Sequence, residues 1–453
     1  PTLRDAIARS TASPGLQCTI VFHPHVERIG QSALLELAGG DLVLGRLSPS
    51  FTDTSGECLG PLEDPYISRR AVIINVEPTG VRLRRPPDAS RCQVAGAELQ
   101  DELLLENDRL SAGVALQLSH SVVLMLRSLV PRSISAPVLS RTALVGSSEA
   151  MLHLRDQVSR AANSDLDVLI RGETGTGKEL VAQAIHQNSA RSGGPLVSVN
   201  MAAIPTALAS ALLFGNAKGA FSGADRARQG YFQQAEGGSL FLDEVGDTPA
   251  EVQPLLLRAL QQREIQVVGG EIRKSNVRVI SATDANLESS DCGFKSALRH
   301  RLGAAQIDLP PLRAHPEDVG ELLYLFLERA CEREQRQGFL PGHDSSARSI
   351  ARWTNLFAAF ANYQWPGNIR QLENLASQIV VNSDQDPVLP DIVTSAITAD
   401  AVNEQDLQSP GAVQESPPRP RPRSRPGPVP EAQFEEAMHR GSYEVAAVAD
   451  ELG

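Results

Sequence analysis

The run Val168-Leu169-Ile170-Arg171-Gly172-Glu173-Thr174-Gly175-Thr176-Gly177-Lys178 decides the fold of the central part of this chain. Val168–Ile170 reads as a buried strand, the glycines as a turn, and Glu179–Asn188 as a helix. A glycine-rich turn between strand and helix lets successive backbone N–H groups face a polyphosphate, and the helix N-terminus adds a favourable field. Lys178 then reaches the β- and γ-phosphates as a point charge. The competing reading is a glycine-rich turn that binds nothing, which the strand–turn–helix setting disfavours. Glu179 stands where a serine or threonine often follows the lysine, so one common magnesium ligand is absent.

A second stretch strengthens the assignment. Ser239-Leu240-Phe241-Leu242-Asp243-Glu244 is an apolar strand ending in two carboxylates. Acids at the C-terminal end of a strand sit at the crevice where α/β sheets bind ligands. Asp243 is suited to holding the hydration shell of Mg2+, and Glu244 to orienting or deprotonating the attacking water. Working outward, the apolar runs 167–171, 196–200, 239–243 and 277–283 alternate with helical stretches such as 179–188 and 251–263. This pattern predicts a mostly parallel sheet with helices on both faces. Beyond Pro311 the periodicity is helical throughout, over 317–335, 345–361 and 369–382.

The flanks differ in kind. Short β-type runs at 19–22, 41–44, 72–76, 81–84, 116–118 and 122–126, separated by turn residues, predict an all-β sandwich. The expected boundaries are a sandwich over 16–128, a linker over 129–141, an α/β subdomain over 142–310 and a helical subdomain over 311–384. A Pro/Arg-rich linker over 385–430 and a short amphipathic end over 431–453 follow. The 453 residues are enough for several domains. A net charge of −12 excludes a protein that coats DNA by bulk electrostatics. No apolar run reaches the ~18 residues of a membrane helix. The five scattered cysteines lack CxxC spacing, which argues against a disulfide framework or zinc cluster and predicts a cytoplasmic location. The chain starts at Pro1 rather than Met, so its true N-terminus is expected to lie upstream.

These strings, with three more, resemble the AAA+ ATPase domain of bacterial enhancer-binding proteins, which activate transcription with sigma-54. The likeness runs from about Leu144 to Ser383 and adds Val199-Asn200, Gly219-Ala220-Phe221-Ser222-Gly223-Ala224 and Trp365-Pro366-Gly367-Asn368-Ile369-Arg370. In this family Glu179 is the usual residue after the lysine. The resemblance implies ATP and Mg2+ as cofactors, with Gly172 to Glu179, Val145 and Gly146 binding the nucleotide. It implies Asp243 as the metal residue, acting through water, and Glu244 as the catalytic carboxylate, with Asn200 holding Glu244 inactive. Thr283 would act as a sensor and Arg370 as the lid sensor. Gly219, Ala220, Phe221, Ser222, Gly223 and Ala224 would form the loop that contacts sigma-54. Arg301 would reach the nucleotide of a neighbouring subunit in a ring, by resemblance a hexamer.

The chain departs from that pattern at Ser222 for threonine, Asp284 for the usual asparagine, Lys295 for the usual arginine and Ala297 for an acid. A carboxylate at 284 repels a γ-phosphate, and lysine cannot reproduce the fork of an arginine finger, whose loss costs about 10³–10⁵ in rate.

The N-terminal sandwich resembles a forkhead-associated (FHA) domain, a phosphothreonine-binding module, on Gly45-Arg46 and Ile67-Ser68-Arg69. Arg46, Ser68 and Arg69 would then hold the phosphate. Ala71 and the segment 90–96 depart from that family, and a sandwich serving only protein association is the alternative. Residues 431–453 resemble the first helices of a Fis-like helix-turn-helix that stops at Gly453, which implies truncation before a DNA-reading helix. The expectation is therefore a multidomain, ATP-dependent activator that remodels the sigma-54 RNA polymerase closed complex and binds promoter-upstream DNA when full-length. The rival is a weakly hydrolysing or non-hydrolysing regulatory module that only binds ATP.

Overall fold

In the computed structural model, residues 15–35, 41–53, 55–129, 144–222, 224–289, 293–342 and 345–395 are described. Apart from residue 129, the expected linker over 129–141 lies outside these residues; that over 385–430 lies outside them beyond residue 395, and the expected helix-turn-helix over 431–453 lies wholly outside them. The described residues fall within one compact unit.

The N-terminal part is a two-sheet antiparallel sandwich. Its strands are β1 (Gly15–Phe22), β2 (Ser32–Leu35), β3 (Leu42–Leu44), β4 (Phe51–Thr52), β5 (Cys58–Gly60), β6 (Val72–Glu77), β7 (Gly80–Arg84), β8 (Cys92–Val94), β9 (Ala97–Glu98) and β10 (Glu102–Glu106). Helix α1 (Asn107–Ala112), β11 (Val114–Leu118) and β12 (Val122–Leu129) complete it. One sheet runs β5-β4-β2-β1-β12-β11-β8-β9 and the other β10-β7-β6-β3. Alternate residues of the central strands, among them Cys18, Ile20, Leu116, Leu124 and Leu126, fill the space between the sheets. Several of the residues between them are apolar as well. Val123, Met125 and Ala115 face outward, and a register shift between Ile20 and Phe22 turns Val21 and Phe22 to that same outer face.

The central α/β part holds α2 (Glu149–Ala162), β13 (Val168–Arg171), α3 (Lys178–Gln187), β14 (Leu196–Asn200), α4 (Thr206–Phe214), α5 (Tyr231–Gln234) and β15 (Ser239–Asp243). It continues with α6 (Gln253–Gln262), β16 (Glu264–Gln266), β17 (Ile272–Lys274), β18 (Arg278–Thr283), α7 (Ser296–Leu302) and β19 (Ala305–Asp308). The sheet order is β14-β15-β18-β13-β19, and every pairing in it is parallel, as the alternating pattern predicts. All six residues of β18 are buried, which is what a central strand covered on both faces requires.

The third part is α8 (Val319–Arg333), α9 (Ala347–Ala361) and α10 (Asn368–Asn382). Pro316 opens the 3-10 turn Pro316–Asp318 immediately before α8, where its missing N–H costs nothing. Between α9 and α10 the chain turns sharply, with Trp365 and Asn368 at φ of 53° and 51°. Trp365 is buried there, and its indole N–H donates to the Phe360 carbonyl at 3.1 Å.

One feature departs from the expected separation of domains. The outer face of the sandwich and the three C-terminal helices share a single core. Val21, Phe22, Ala115, Val123 and Met125 lie in one cluster with Leu323, Trp353, Phe357 and Leu372, and the Phe22 and Phe357 rings stand 4.7 Å apart. A chain reading 122–126 as apolar without alternation is a strand buried on both faces, and these helices supply the second cover.

Candidate nucleotide site

The glycine turn leaves β13 where parallel neighbours β18 and β19 flank it, so segment 172–178 opens at the carboxyl end of the sheet. Gly175 and Gly177 have φ of 81° and 94°, values open to glycine and strained for other residues. The Lys178 ammonium is almost fully buried, donates to the Gly172 carbonyl at 3.0 Å and stands 3.4 Å from Glu244 Oε1. Thr176 donates its hydroxyl to the Glu173 carbonyl at 2.7 Å, which locks the turn.

The register of β14 with β15 places Asn200 beside Asp243, at the end of the sheet facing the turn. Glu244 follows in the left-handed region at φ 50°, a conformation that costs of order 1–3 kcal/mol and clusters at functional sites. Burial pushes the Glu244 carboxyl above its ordinary range; Lys178 pulls it down, and the charges of Asp284 and Asp243 add to the rise. The Thr174 hydroxyl donates to Asp284 Oδ2 at 2.6 Å and holds that carboxyl below its ordinary range. Of this facing pair Asp284 is shifted toward its charged form and Glu244 toward its protonated form. The Asp284 amide also reaches Glu244 Oε2 at 3.4 Å.

The helical part closes over the turn. The Arg313 guanidinium grips both oxygens of Glu173, and Asn368 Nδ2 donates to Glu173 Oε2 and to the Thr174 carbonyl, each at 3.1 Å. The Arg313 bond, with that of Asn368, lowers the Glu173 carboxyl to about 2. The Arg370 amide donates to the Gly175 carbonyl at 3.2 Å, and its exposed side chain lines a groove of about 540 Å³ with Thr174, Gly367 and Asn374. Val145 packs against the core of these helices. Gly146, at φ 131°, lies so close to Asp318 that a β-carbon would stand 2.8 Å from its carboxylate. Glu179 points outward and only accepts from Gln183.

Several expected residues sit otherwise than sequence reading placed them. Asn200 does not hold Glu244: its Oδ1 accepts from the Ala203 amide at 3.3 Å, and Glu244 is held by Lys178 and the Asp284 amide. Thr283 is buried and accepts from the Ala285 amide, so the side chain facing the turn is Asp284. Arg301 is engaged at home. It donates to the Leu260 carbonyl from Nε and Nη2, at 3.2 and 2.9 Å, and stands 3.6 Å from buried Asp167. Exposed Lys295 on the same segment has no hydrogen-bond or ion-pair partner for its ammonium among the described residues. Arg313 and the Asn368 contacts escaped the sequence reading, because nothing in helical periodicity marks which polar residue of a lid meets a distant turn.

The loop 219–224 folds on itself. Gly219 donates to the Ala224 carbonyl at 2.8 Å and Ala224 to the Phe221 carbonyl at 3.0 Å, which leaves the Phe221 ring 41% exposed at the tip. Gly223 lies outside the described residues. The β16–β17 hairpin braces this loop: a β-carbon on Gly269 would stand 2.8 Å from that of Ala220.

On the sandwich rim, Gly45 lies against the 68–69 backbone so tightly that a β-carbon would meet the Arg69 carbonyl oxygen at 2.4 Å. The Arg46 amide donates to the Ser68 carbonyl at 3.0 Å, and Ser68 exchanges two hydrogen bonds with Ser90. Arg46, Ser68 and Arg69 are thereby neighbours, and neither guanidinium is paired among the described residues.

Residues 144–308 match the sigma-54 interaction domain family, and residues 313–410 the AAA+ ATPase lid domain family. The transcriptional regulatory protein ZraR of Klebsiella oxytoca is 41% identical over 304 residues, 65% of this chain and 66% of that protein. The DNA-binding transcriptional regulator NtrC of Proteus hauseri is 40% identical over 257 residues, 56% of this chain and 52% of that one. The matched segment thus spans between about half and two thirds of these relatives. The crystal structure of NtrX from Brucella abortus aligns over 69% of this chain and 66% of that one, with 29% identity and a TM-score of 0.47. This chain carries a sigma-54 interaction domain with its AAA+ lid and is homologous to the ZraR and NtrC sigma-54-dependent regulators.

Proposed function

We propose that the chain is an ATP-driven activator that works on the sigma-54 RNA polymerase complex and assembles as a ring, by family a hexamer. The observation that carries this is the convergence at one sheet end of Lys178, Asp243 and Glu244 under a lid that touches the same turn. Lys178 and the amides of 174–178 bind the phosphates, and Glu244 takes the proton of an attacking water. Mg2+ fits Asp243, whose carboxylate ends β15 beside the turn, and would neutralise charge on the phosphates. Hydrolysis then moves the loop around Phe221 against sigma-54. The rim residues Arg46, Ser68 and Arg69 support a phosphothreonine-peptide sensor.

Retention of purified sigma-54 on the full chain with ADP and aluminium fluoride tests the reading. Retention is expected for the natural chain and loss for Phe221→Ala; retention that ignores both nucleotide and Phe221 would contradict it.

A second reading, a switch that binds ATP with little hydrolysis, is favoured by three local facts. Arg301 is occupied within its own subunit, Lys295 replaces an arginine, and Asp284 sets a charge beside the turn. Lys295→Arg with Asp284→Asn separates the two. A large rise in turnover identifies a weakened motor, and no change in a folded protein favours the switch.

A further inference from the structure

The sandwich meets the turn before α8 and the segment before α2 through a polar seam. Arg127 on β12 is anchored on its own side by the Ser111 carbonyl at 3.0 Å. From there its guanidinium reaches both oxygens of Glu317, at 2.8 and 2.9 Å. The Glu317 side chain is only 4% exposed, and burial drives its carboxyl upward against the pull of Arg127. Its neighbour Asp318 is fully buried and accepts from the amides of Ser147 and Ser148, at 2.7 and 2.8 Å, and from the Ser148 hydroxyl. His315 bonds the same carboxylate at 2.8 Å. The Ser147 hydroxyl returns to the sandwich, donating to the Gly30 carbonyl at 3.3 Å. Ser147 and Ser148 are thus held by Asp318, next to the Glu317 that Arg127 grips, and by the Gly30 carbonyl of the sandwich.

We infer that the N-terminal sandwich is a structural part of the nucleotide site, with Arg127 as a positioning residue that sets segment 145–148 through Glu317 and Asp318. The inference rests on the reading that 145–146 and the glycine turn bind ATP, and it adds a regulatory consequence. A ligand that shifts the sandwich on the lid changes nucleotide affinity, and by linkage nucleotide changes the affinity for that ligand by the same factor. The physical reason is that a buried ion pair is costly to break from one side. Removal of Arg127 leaves the Glu317 charge uncompensated, and the 316–318 turn must move or take up a proton.

The test uses the full chain and a fluorescent ADP bearing an N-methylanthraniloyl group. Arg127→Met should weaken its binding about tenfold, within the range of coupling between linked sites. Arg127→Lys should restore most of the loss, and at saturating ATP the turnover of Arg127→Met should return, a rise in KM with kcat kept. Amide exchange of 147 and 148 should quicken in the same variant. Should Arg127→Met fail to fold, Gly320→Ala decides. Alanine suits the interior of α8 better than glycine, but its β-carbon would stand 2.2 Å from the Val21 carbonyl oxygen, so only the sandwich contact suffers. Natural affinity in Arg127→Met or, failing that, in Gly320→Ala, with Lys178→Ala unable to bind, overturns the inference and leaves the nucleotide reading intact. Failure of the natural chain itself to bind removes both.

Discussion

Asp284 and Glu244 face each other across the glycine turn, and their environments push them apart. The Thr174 hydroxyl keeps Asp284 charged, while burial raises Glu244. A group raised in the folded protein holds its proton to higher pH, so Glu244 becomes a free base only above its ordinary carboxylate range. Turnover should therefore fall on an acid limb that lies above that range. Asp284→Asn removes one like charge and keeps an acceptor for Thr174, so this limb should move down. The same variant should tighten ATP binding by about tenfold, ~1.4 kcal/mol, read by nucleotide titration. An unmoved limb would mean that Asp284 does not act on Glu244. Glu173 has the opposite sign. Its carboxyl, held at about 2 chiefly by Arg313, stays charged through and below its ordinary range and loses this contact only as pH falls toward 2. The lid contact is thus silent between pH 5 and 8, and Glu173→Gln should quicken amide exchange at 367–370 without altering that pH profile.

The residue types at this site were legible because strand, glycine turn and paired acids lie in consecutive positions. The partners were not. Whether Arg301 faces a neighbour or its own Leu260 carbonyl depends on packing between α6 and α7, which no local pattern encodes.

At the scale of elements, tight backbone approaches decide what the rim and the loop can do. Gly45 lets β3 end against the 68–69 backbone, where any β-carbon collides with two carbonyl oxygens. Gly45→Ala should therefore abolish binding of a phosphothreonine peptide as fully as Arg46→Ala, although it removes no charge. Isothermal titration with phosphorylated and unphosphorylated peptide checks this, and binding that survives Gly45→Ala would detach the rim from phosphate recognition. The β16–β17 hairpin was invisible to the sequence reading because its strands are three residues each, one of them fully exposed. The principal strands and the three lid helices were legible, since runs such as 239–243 are short apolar stretches and 347–361 carries helical periodicity.

For the molecule as a whole, the surprise is the shared core of sandwich and lid. The apolar run 122–126 carried the signal, but its second cover lies about 200 residues further along the chain and no short-range pattern announces it. Two separate domains would unfold in two steps; a common core predicts that sandwich and lid melt together. Phe357→Ala, which removes the ring against Phe22, should cost about 3–5 kcal/mol and lower that transition by circular dichroism without splitting it. A sandwich that keeps its own melting temperature would show that the shared core contributes little.

The most direct test of the motor is ATP turnover by the purified chain across a wide range of protein concentration, beside Glu244→Gln. The account predicts specific activity that rises with concentration as subunits meet, and a Glu244→Gln protein that binds ATP but turns over at least about a hundredfold more slowly. ATP held firmly by the natural chain with no turnover at any concentration, or equal turnover in Glu244→Gln, would contradict it.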